Sequence, residues 1–583
     1  METSSIESNE SYHPNISKED VVVDEGDDES IERRFEKSPT NLSRRKSNNS
    51  ELSKILSGIK DDINQPYEDI ALAESVLAHQ LTRQEVEGVT DLENNVESIP
   101  SGVSGDNVPQ PDEGFSWVIA IVSMLAIFAT WGSNASYGVF LNYYTHNNTF
   151  EGADMYDFAL IGGIVVFLAQ STAPITTLLY QIFGLRTIVI VGIILQTAGY
   201  VLASFAKSLW QLYLTQGLMI GLSFSLVYLP ATLVLPTWFD KYRAFAFGIA
   251  VSGAGLGGIV FALSVDHVIR ISGNQYWGLR LTALIALVSA LPNLFLKPRI
   301  PTQQPLSKTL NWKFIKANTN KIIDPKVFKS WSLRALSLWF GLALLGYVVM
   351  LFSLSSYATA MGLSDKQASN LTALLNAGQV IGRPTIGLCS DRFGRVNTAS
   401  FLGLCIAIMI FAFWINATTY AELIPFSLII GAIIGIGSTL CQPIAGDLIS
   451  DISQLPAAWS MLNICVGFFC LAAEVIALSL KKPNATKPFL HCQIFAGCCF
   501  IACLILSMLI RQTLVRKVLS KRLASTHEAI EEINEPKRYL TINDLNDQSQ
   551  QLELLNERRV RYEYLLMGGI KHFLIRLFYP MKV

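Results

Sequence analysis

From residue 115 to residue 510 the chain is a series of long runs without Asp, Glu, Lys or Arg, separated by short polar breaks. The first six runs are 115–149, 158–185, 187–206, 208–239, 244–265 and 281–296. After a polar stretch come 335–364, 367–390 (interrupted by Arg383), 396–421, 423–446, 452–480 (interrupted by Glu474) and 488–510. A bilayer core about 30 Å thick takes roughly 20 apolar residues at about 1.5 Å per residue. Segments of this length that are apolar on every side are membrane spans rather than core helices. The pattern predicts an all-α membrane protein with 12 transmembrane helices in two six-helix halves. The expected organisation is a polar tail (1–113), an N-terminal bundle (114–296), a basic linker (297–330), a C-terminal bundle (331–512) and a C-terminal tail (513–583).

Charge adds orientation. Only 16% of the 583 residues are charged, against about a quarter in a typical soluble chain. Residues 1–114 carry 26 Asp and Glu but only 10 Lys and Arg. A segment this acidic, and rich in Ser and Asn, is expected to be disordered. The stretch 297–334 holds nine basic residues against one Asp. Lys241, Arg243, Arg392, Arg395 and the basic cluster after residue 510 fall on the same side if all twelve helices span. The positive-inside tendency makes that side, and both termini, cytoplasmic. The loop 447–456, with Asp447 and Asp451 and no base, dissents, but acidic residues weigh little in this rule. The sequons at Asn147, Asn416 and Asn484 fall on external loops; others, at Asn15, Asn41 and Asn48, fall in the cytoplasmic tail. No cleavable signal is evident, so the first span is the targeting signal. Arg44-Arg45-Lys46-Ser47 has the form of a basophilic kinase site, where phosphate would loosen a membrane-surface contact; a solvated basic patch is the alternative. The nine cysteines, all between Cys389 and Cys503, have no metal spacing and are expected to be bundle packing. The stretch 573–580 is mostly apolar and too short to span; it is expected to lie on the membrane surface or dock on the bundle.

Three motifs are specific enough to suggest a family. Gly387 followed by Asp391-Arg392-Phe393-Gly394-Arg395, between helices 8 and 9, resembles the Gly-x-x-x-Asp-Arg-x-Gly-Arg signature of the major facilitator superfamily. Gly184-Leu-Arg186 is a degenerate copy between helices 2 and 3. Asp112, Gly114, Phe115 and Trp117 match a helix-1 signature of monocarboxylate transporters, with Glu113 and Ser116 departing. Phe239, Lys241, Arg243, Ala246, Gly248, Ala250, Ser252 and Gly253 match that family's helix-5 signature. The chain thus resembles a monocarboxylate transporter-like member of the superfamily, in the fungal branch of monocarboxylate permease homologues. Physically, Gly394 permits a tight turn, and small residues in helix 5 permit close helix approach. Asp391 can pair with Arg392 or Arg395, or cap a neighbouring helix, and so latch one state; both arginines are placed at a helix C-terminus, where positive charge is favoured. These motifs concern packing and gating rather than substrate choice.

A charge within a span is costly and marks a candidate site. Arg383 lies eight residues before Asp391, about 12 Å from the helix end. It matches the family's helix-8 arginine, which the resemblance implicates in binding a substrate carboxylate. A guanidinium fork suits a carboxylate. Asn376 and Gln379 share its face, and Asn134 and Tyr137 on helix 1 complete the candidate substrate set. The alternative is Arg383 as a structural post. Glu474, about 10 Å from the external end, is either a protonatable carrier or a buried neutral acid; its depth makes a direct pair with Arg383 doubtful. Two departures stand out. The resemblance implies an Asp one turn before the helix-8 arginine and a Lys in helix 1 for proton coupling; here they are Gln379 and Ala135.

The expected function is secondary active or facilitative transport of a small organic solute, a carboxylate or other organic anion, by alternating access. One alternative is a larger solute such as riboflavin, carried by a fungal relative; another is a nutrient sensor signalling through its tail. No phosphate-binding loop is present, and His267 and His491 have no nucleophile or metal partner in the pattern, so neither an ATPase nor an enzyme is expected. No cofactor, metal or nucleic acid is implied. One path per bundle makes a monomer sufficient. The plasma membrane is the family's usual residence, with a vacuolar membrane the alternative.

Overall fold

The computed structural model describes residues 109–147, 149–299, 309, 311–449, 451, 454–482, 485, 487–534 and 542–583. Ser47, the sequon residue Asn484 and most of the acidic tail lie outside the described residues.

The described residues form helices and turns. Ten single helices are long and apolar enough to cross a bilayer. They are α1 (Phe115–Thr145), α3 (Leu185–Ala203), α4 (Leu209–Thr237), α5 (Arg243–Ser272), α6 (Gln275–Phe295), α7 (Trp331–Ala360), α9 (Arg395–Trp414), α10 (Tyr420–Leu448), α11 (Leu455–Leu480) and α12, whose crossing stretch is Leu490–Glu531. An eleventh, α2, joins Met155–Ser171 to Ala173–Phe183 through a 49° bend. Pro174 stands at the start of the second piece and has no N–H to continue the ladder, which accounts for the bend. The twelfth, α8 (Asp365–Phe393), has 29 residues, about 43 Å of helix; its internal polar positions keep it out of the apolar set.

Outward-facing Ile194, Leu284, Phe401 and Ile505 are exposed, as a lipid-facing belt requires and a water-soluble surface would not. Inside, α5 packs along α8 and α2 packs along α11. These two seams join α1–α6 to α7–α12. Two short helices, Trp312–Ile322 and Pro325–Lys329, lie between α6 and α7.

Helix α12 continues to Asn534, 45 residues in all and about 67 Å, so it outruns a bilayer core. Helix α13 (Ile542–Leu566) packs beside it, and α14 (Ile570–Phe578) follows. The 573–580 stretch therefore docks on the bundle. The end of the molecule carrying Arg243, Arg395 and Arg511 is called the basic end below.

Several helices are irregular near the candidate residues. Helix α1 widens into a π-turn at Phe128–Gly132 and breaks at Ser136, on either side of Asn134. Helix α10 breaks at Gly435, beside Arg383. Broken helices at mid-bundle are where transporters expose backbone to a solute.

Candidate functional site

At the basic end the three sequence signatures meet. Asp112 has φ of 65°, a region Asp tolerates better than most residues. Its carboxylate receives the backbone N–H groups of Asp240 (3.2 Å), Lys241 (2.9 Å) and Tyr242 (3.3 Å). Trp117, one turn into α1, packs its ring on Phe239, Tyr242 and Phe245. Arg243 donates to Asp240 and to the Phe239 carbonyl. Lys241 is exposed, its ammonium 5.6 Å from the Tyr242 ring centre. Gly114 has no neighbour within 4 Å where a Cβ would stand; nothing in the structure explains its match to the signature.

Asp391 approaches the same turn from α8. Its carboxylate accepts from the N–H groups of Ala244 (3.2 Å) and Phe245 (2.8 Å). Those donors are orphans of the first turn of α5, so Asp391 caps a helix of the other half. It also pairs with Arg395 at 3.3 Å, and Arg395 bonds Asp447 on α10 at 2.5 Å. The base-free 447–456 loop thus begins with a carboxylate already matched to a guanidinium. Two expectations change. Arg392 is exposed and lies over the Phe393 ring, apart from the Asp391 pair. Arg395 opens α9 rather than closing α8, so its charge is held by Asp391 and Asp447 and not by a helix C-terminus.

Glycine makes this end tight. A Cβ on Gly387 would lie 2.2 Å from the Ala244 carbonyl oxygen, and one on Gly248 would lie 2.4 Å from that of Arg383. Gly253 turns toward α1, where a Cβ would meet the Met124 carbonyl oxygen. Gly394 has φ of 99° and forms the α8–α9 turn, which a side chain would strain.

Farther along the α5–α8 seam, Arg383 is 5% exposed. Its guanidinium donates to the Val251 carbonyl on α5 and to Gln379 Oε1, while its Nε is buried without a partner. The break in α10 lets the side chain fit: a Cβ on Gly435 would be 2.9 Å from Arg383 Cγ. Gln379 Nε2 donates to Asn376 Oδ1 and to the Tyr347 hydroxyl, both at 3.2 Å. Ala135 belongs to the same neighbourhood. A Cβ on Gly258 would be 3.0 Å from Asn376 Nδ2 and 3.2 Å from the Ala135 Cβ. The two departures, Ala135 and Gln379, thus stand around Asn376.

The second seam runs along one face of α11. From the basic end, Trp459 Nε1 donates to Thr232 Oγ1 on α4 at 3.2 Å. One turn on, Asn463 Oδ1 lies 2.8 Å from the Tyr228 hydroxyl, which is also 2.7 Å from Gln170 Oε1. Asn463 Nδ2 already donates to the Trp459 carbonyl, so its Oδ1 is left to accept from the Tyr228 hydroxyl, which it shares with the acceptor Gln170 Oε1. Next, Phe468 meets Phe167 of α2. At the far end Glu474 Oε2 is buried without a hydrogen-bond partner. A Cβ on Gly162 would lie 2.9 Å from that oxygen and 3.0 Å from the Tyr137 ring. Tyr137 itself donates to the Phe158 carbonyl at 2.6 Å.

The candidate substrate residues therefore form two groups. Asn376, Gln379 and Arg383 are together on the α5–α8 seam; Tyr137 is beside Glu474 at the α2–α11 seam. Asn134 lines a cavity of about 10 Å³ with Ser133 and Tyr137, and a second of about 30 Å³ lies among Leu235, Arg243, Phe247 and Gln442. Each has room for a water molecule or two, not for an organic solute. The basic end is closed by the Asp391 cap and the Arg395–Asp447 pair. Sequence reasoning missed the roles of Gln170, Trp459 and Asp447. Gln170 ends a ten-residue stretch from Ile161 with no other polar side chain, a signal that was there to read.

A sequence model of the Major Facilitator Superfamily matches residues 119–473. The chain belongs to the Major Facilitator Superfamily. Among curated relatives, the protein described as "Uncharacterized transporter ESBP6" of Saccharomyces cerevisiae is 40% identical over 505 residues, covering 86% of this chain and 74% of that one. "Probable transporter MCH2" of the same yeast is 32% identical over 423 residues, with 72% and 86% covered. "MFS-type transporter pynF" of Aspergillus niger is 29% identical over 387 residues, with 64% and 83% covered. The protein is an integral, multi-pass membrane protein of a transporter superfamily, and its function is membrane transport.

Proposed function

We propose that this superfamily member is a secondary transporter of an organic carboxylate, of the monocarboxylate transporter-like branch, and that Arg383 binds the carboxylate. One observation carries the reading. Arg383 is a buried cation held by a carbonyl and an amide, with a buried Nε unpartnered, and no carboxylate among the described residues pairs with it. A buried charge without a counter-ion is unstable relative to one that has it. A substrate carboxylate supplies the missing charge, and the fork of donors suits it. Asn376, Gln379 and Tyr347 adjoin Arg383 and present further donors and acceptors.

Transport follows by alternating access. The Asp391 cap and the Arg395–Asp447 pair hold the basic end, read as cytoplasmic, closed. Glu474 is the proton-carrying candidate, since Gln379 and Ala135 cannot titrate. Asn134 and Tyr137 line the path from helix 1. The basic linker 297–330 and both tails are read as cytoplasmic, the plasma membrane as the residence, one bundle as sufficient for transport, and Ser47 as a candidate kinase site beside the reading of a solvated basic patch.

The test is uptake of radiolabelled lactate, pyruvate and riboflavin by cells lacking the endogenous protein, with and without it restored, at pH 5 and pH 7. Carboxylate uptake that is faster at pH 5 and lost in Arg383→Ala supports the reading. Riboflavin uptake with no carboxylate flux overturns it, and ligand binding without flux favours a sensor.

A further inference from the structure

We propose that α14 and the segment running on to Val583 form a strap on the membrane surface: one face clamps the α8–α9 gate turn, and the other rests on lipid.

The clamp is built from buried groups. Arg511 is the first charge after the last apolar run, so it marks the edge of the hydrocarbon core. Its guanidinium donates to the carbonyls of Arg576 (2.9 Å), Leu577 and Tyr579 (both 2.5 Å), and to Asn397 Oδ1 at 2.7 Å. Asn397, two residues into α9, donates its amide to the Met581 carbonyl at 2.8 Å. The Val583 carbonyl oxygen receives the N–H of Val396 at 3.0 Å, an orphan donor of the first turn of α9. It also lies where a Cβ on Gly394 would stand, at 2.4 Å. Tyr579, Met581 and Val583 are each at most 5% exposed. Arg576 closes the strap on its own side, donating to the carbonyls of Leu565 and Met567.

Among the described residues, the opposite face of α14 has no protein cover. Ile570, Leu574 and Phe578 are 82%, 48% and 74% exposed. Spaced by four, they form one stripe. Lys571, next to Ile570 in sequence, and Lys582, four residues beyond Phe578, are exposed. Arg511 fixes the height of the helix at the end of the apolar belt, and Phe393, at the end of α8, is 61% exposed beside the clamped turn. An apolar stripe with flanking bases, held at that level, matches a bilayer surface bearing anionic headgroups. Met581 and Val583 bond the start of α9, the helix that Arg395 opens, while Arg511 of α12 holds the preceding carbonyls, so the strap ties the gate turn to the end of α12 at the membrane plane. The inference rests on the helix positions and the bilayer, not on the substrate reading.

The test places a photoreactive benzoylphenylalanine at Leu574, Phe578 or Leu577 in the full chain. The protein is reconstituted in 3:1 phosphatidylcholine–phosphatidylserine vesicles, irradiated and analysed by mass spectrometry. Lipid adducts at 574 and 578, at least fivefold above those at half-buried Leu577, are expected. The double variant Leu574→Asp/Phe578→Asp, probed at Ile570, should lose most of its lipid adduct. Cross-links from 574 and 578 to a second copy, or equal yields at all three positions, would overturn the proposal.

Discussion

The carboxylate of Asp391, on α8, receives the backbone N–H of Phe245, on α5, at 2.8 Å. The same turn is held from the other side by Asp112. Two aspartates, one ahead of α1 and one from the second half, thus bind backbone donors at the start of α5. Of the two, only Asp391 crosses between halves, so its contacts must break when this end opens.

Replacing Asp391 with Ala removes a helix cap, about 0.5–2 kcal/mol, and one partner of Arg395. The closed form should lose population several-fold. Spin labels on the α4–α5 and α8–α9 turns should report a longer distance in Asp391→Ala than in the native protein. Asp112→Ala should lower the melting temperature without lengthening that distance.

Gly387→Ala tests the close approach at the same end. Its Cβ would sit 2.2 Å from a carbonyl oxygen, whereas a Cβ on Gly403 meets nothing closer than 3.9 Å. Overpacking of this kind costs about 1–3 kcal/mol. Thermal unfolding in detergent should show a clear loss for Gly387→Ala and none for Gly403→Ala. Equal melting temperatures would mean the α5–α8 seam is looser than described.

Tyr228→Phe removes the hydroxyl that joins Gln170 to Asn463 across the second seam. Two buried amides then each lose a partner, at about 1–3 kcal/mol for each group left unsatisfied. The melting temperature should fall, and Asn463→Leu combined with Tyr228→Phe should be less than additive.

Glu474→Gln keeps the shape of the side chain and removes its proton. If Glu474 carries the coupled proton, uptake at pH 5 should fall to the level at pH 7, while exchange of substrate for substrate continues. If both processes are unchanged, Glu474 is a packing residue beside Tyr137.

The spans were legible because burial in lipid leaves a one-dimensional signal, the absence of charge. Helix α8 was legible too, although its polar stripe keeps it out of the apolar set, because Arg383 is a single interruption in an otherwise charge-free run. The gate motif pointed to Asp391, but not to Ala244 and Phe245 as its partners. Those donors are backbone groups 146 or more residues away, and sequence does not mark backbone. For the same reason the acidic loop at Asp447 read as an exception until Arg395 was seen beside it. The strap was half-legible: the apolar spacing of α14 is in the sequence, while Arg511 and Asn397 carry no local sign that they grip it.

The central claim is that Arg383 awaits an anion. The most direct test is binding of lactate and of its neutral isostere lactamide to the purified protein and to Arg383→Gln, by calorimetry. The account predicts that the native protein prefers lactate at least tenfold, about 1.4 kcal/mol, and that Arg383→Gln loses the preference. Equal affinity for the two ligands in the native protein, or a preference that survives in Arg383→Gln, would contradict it.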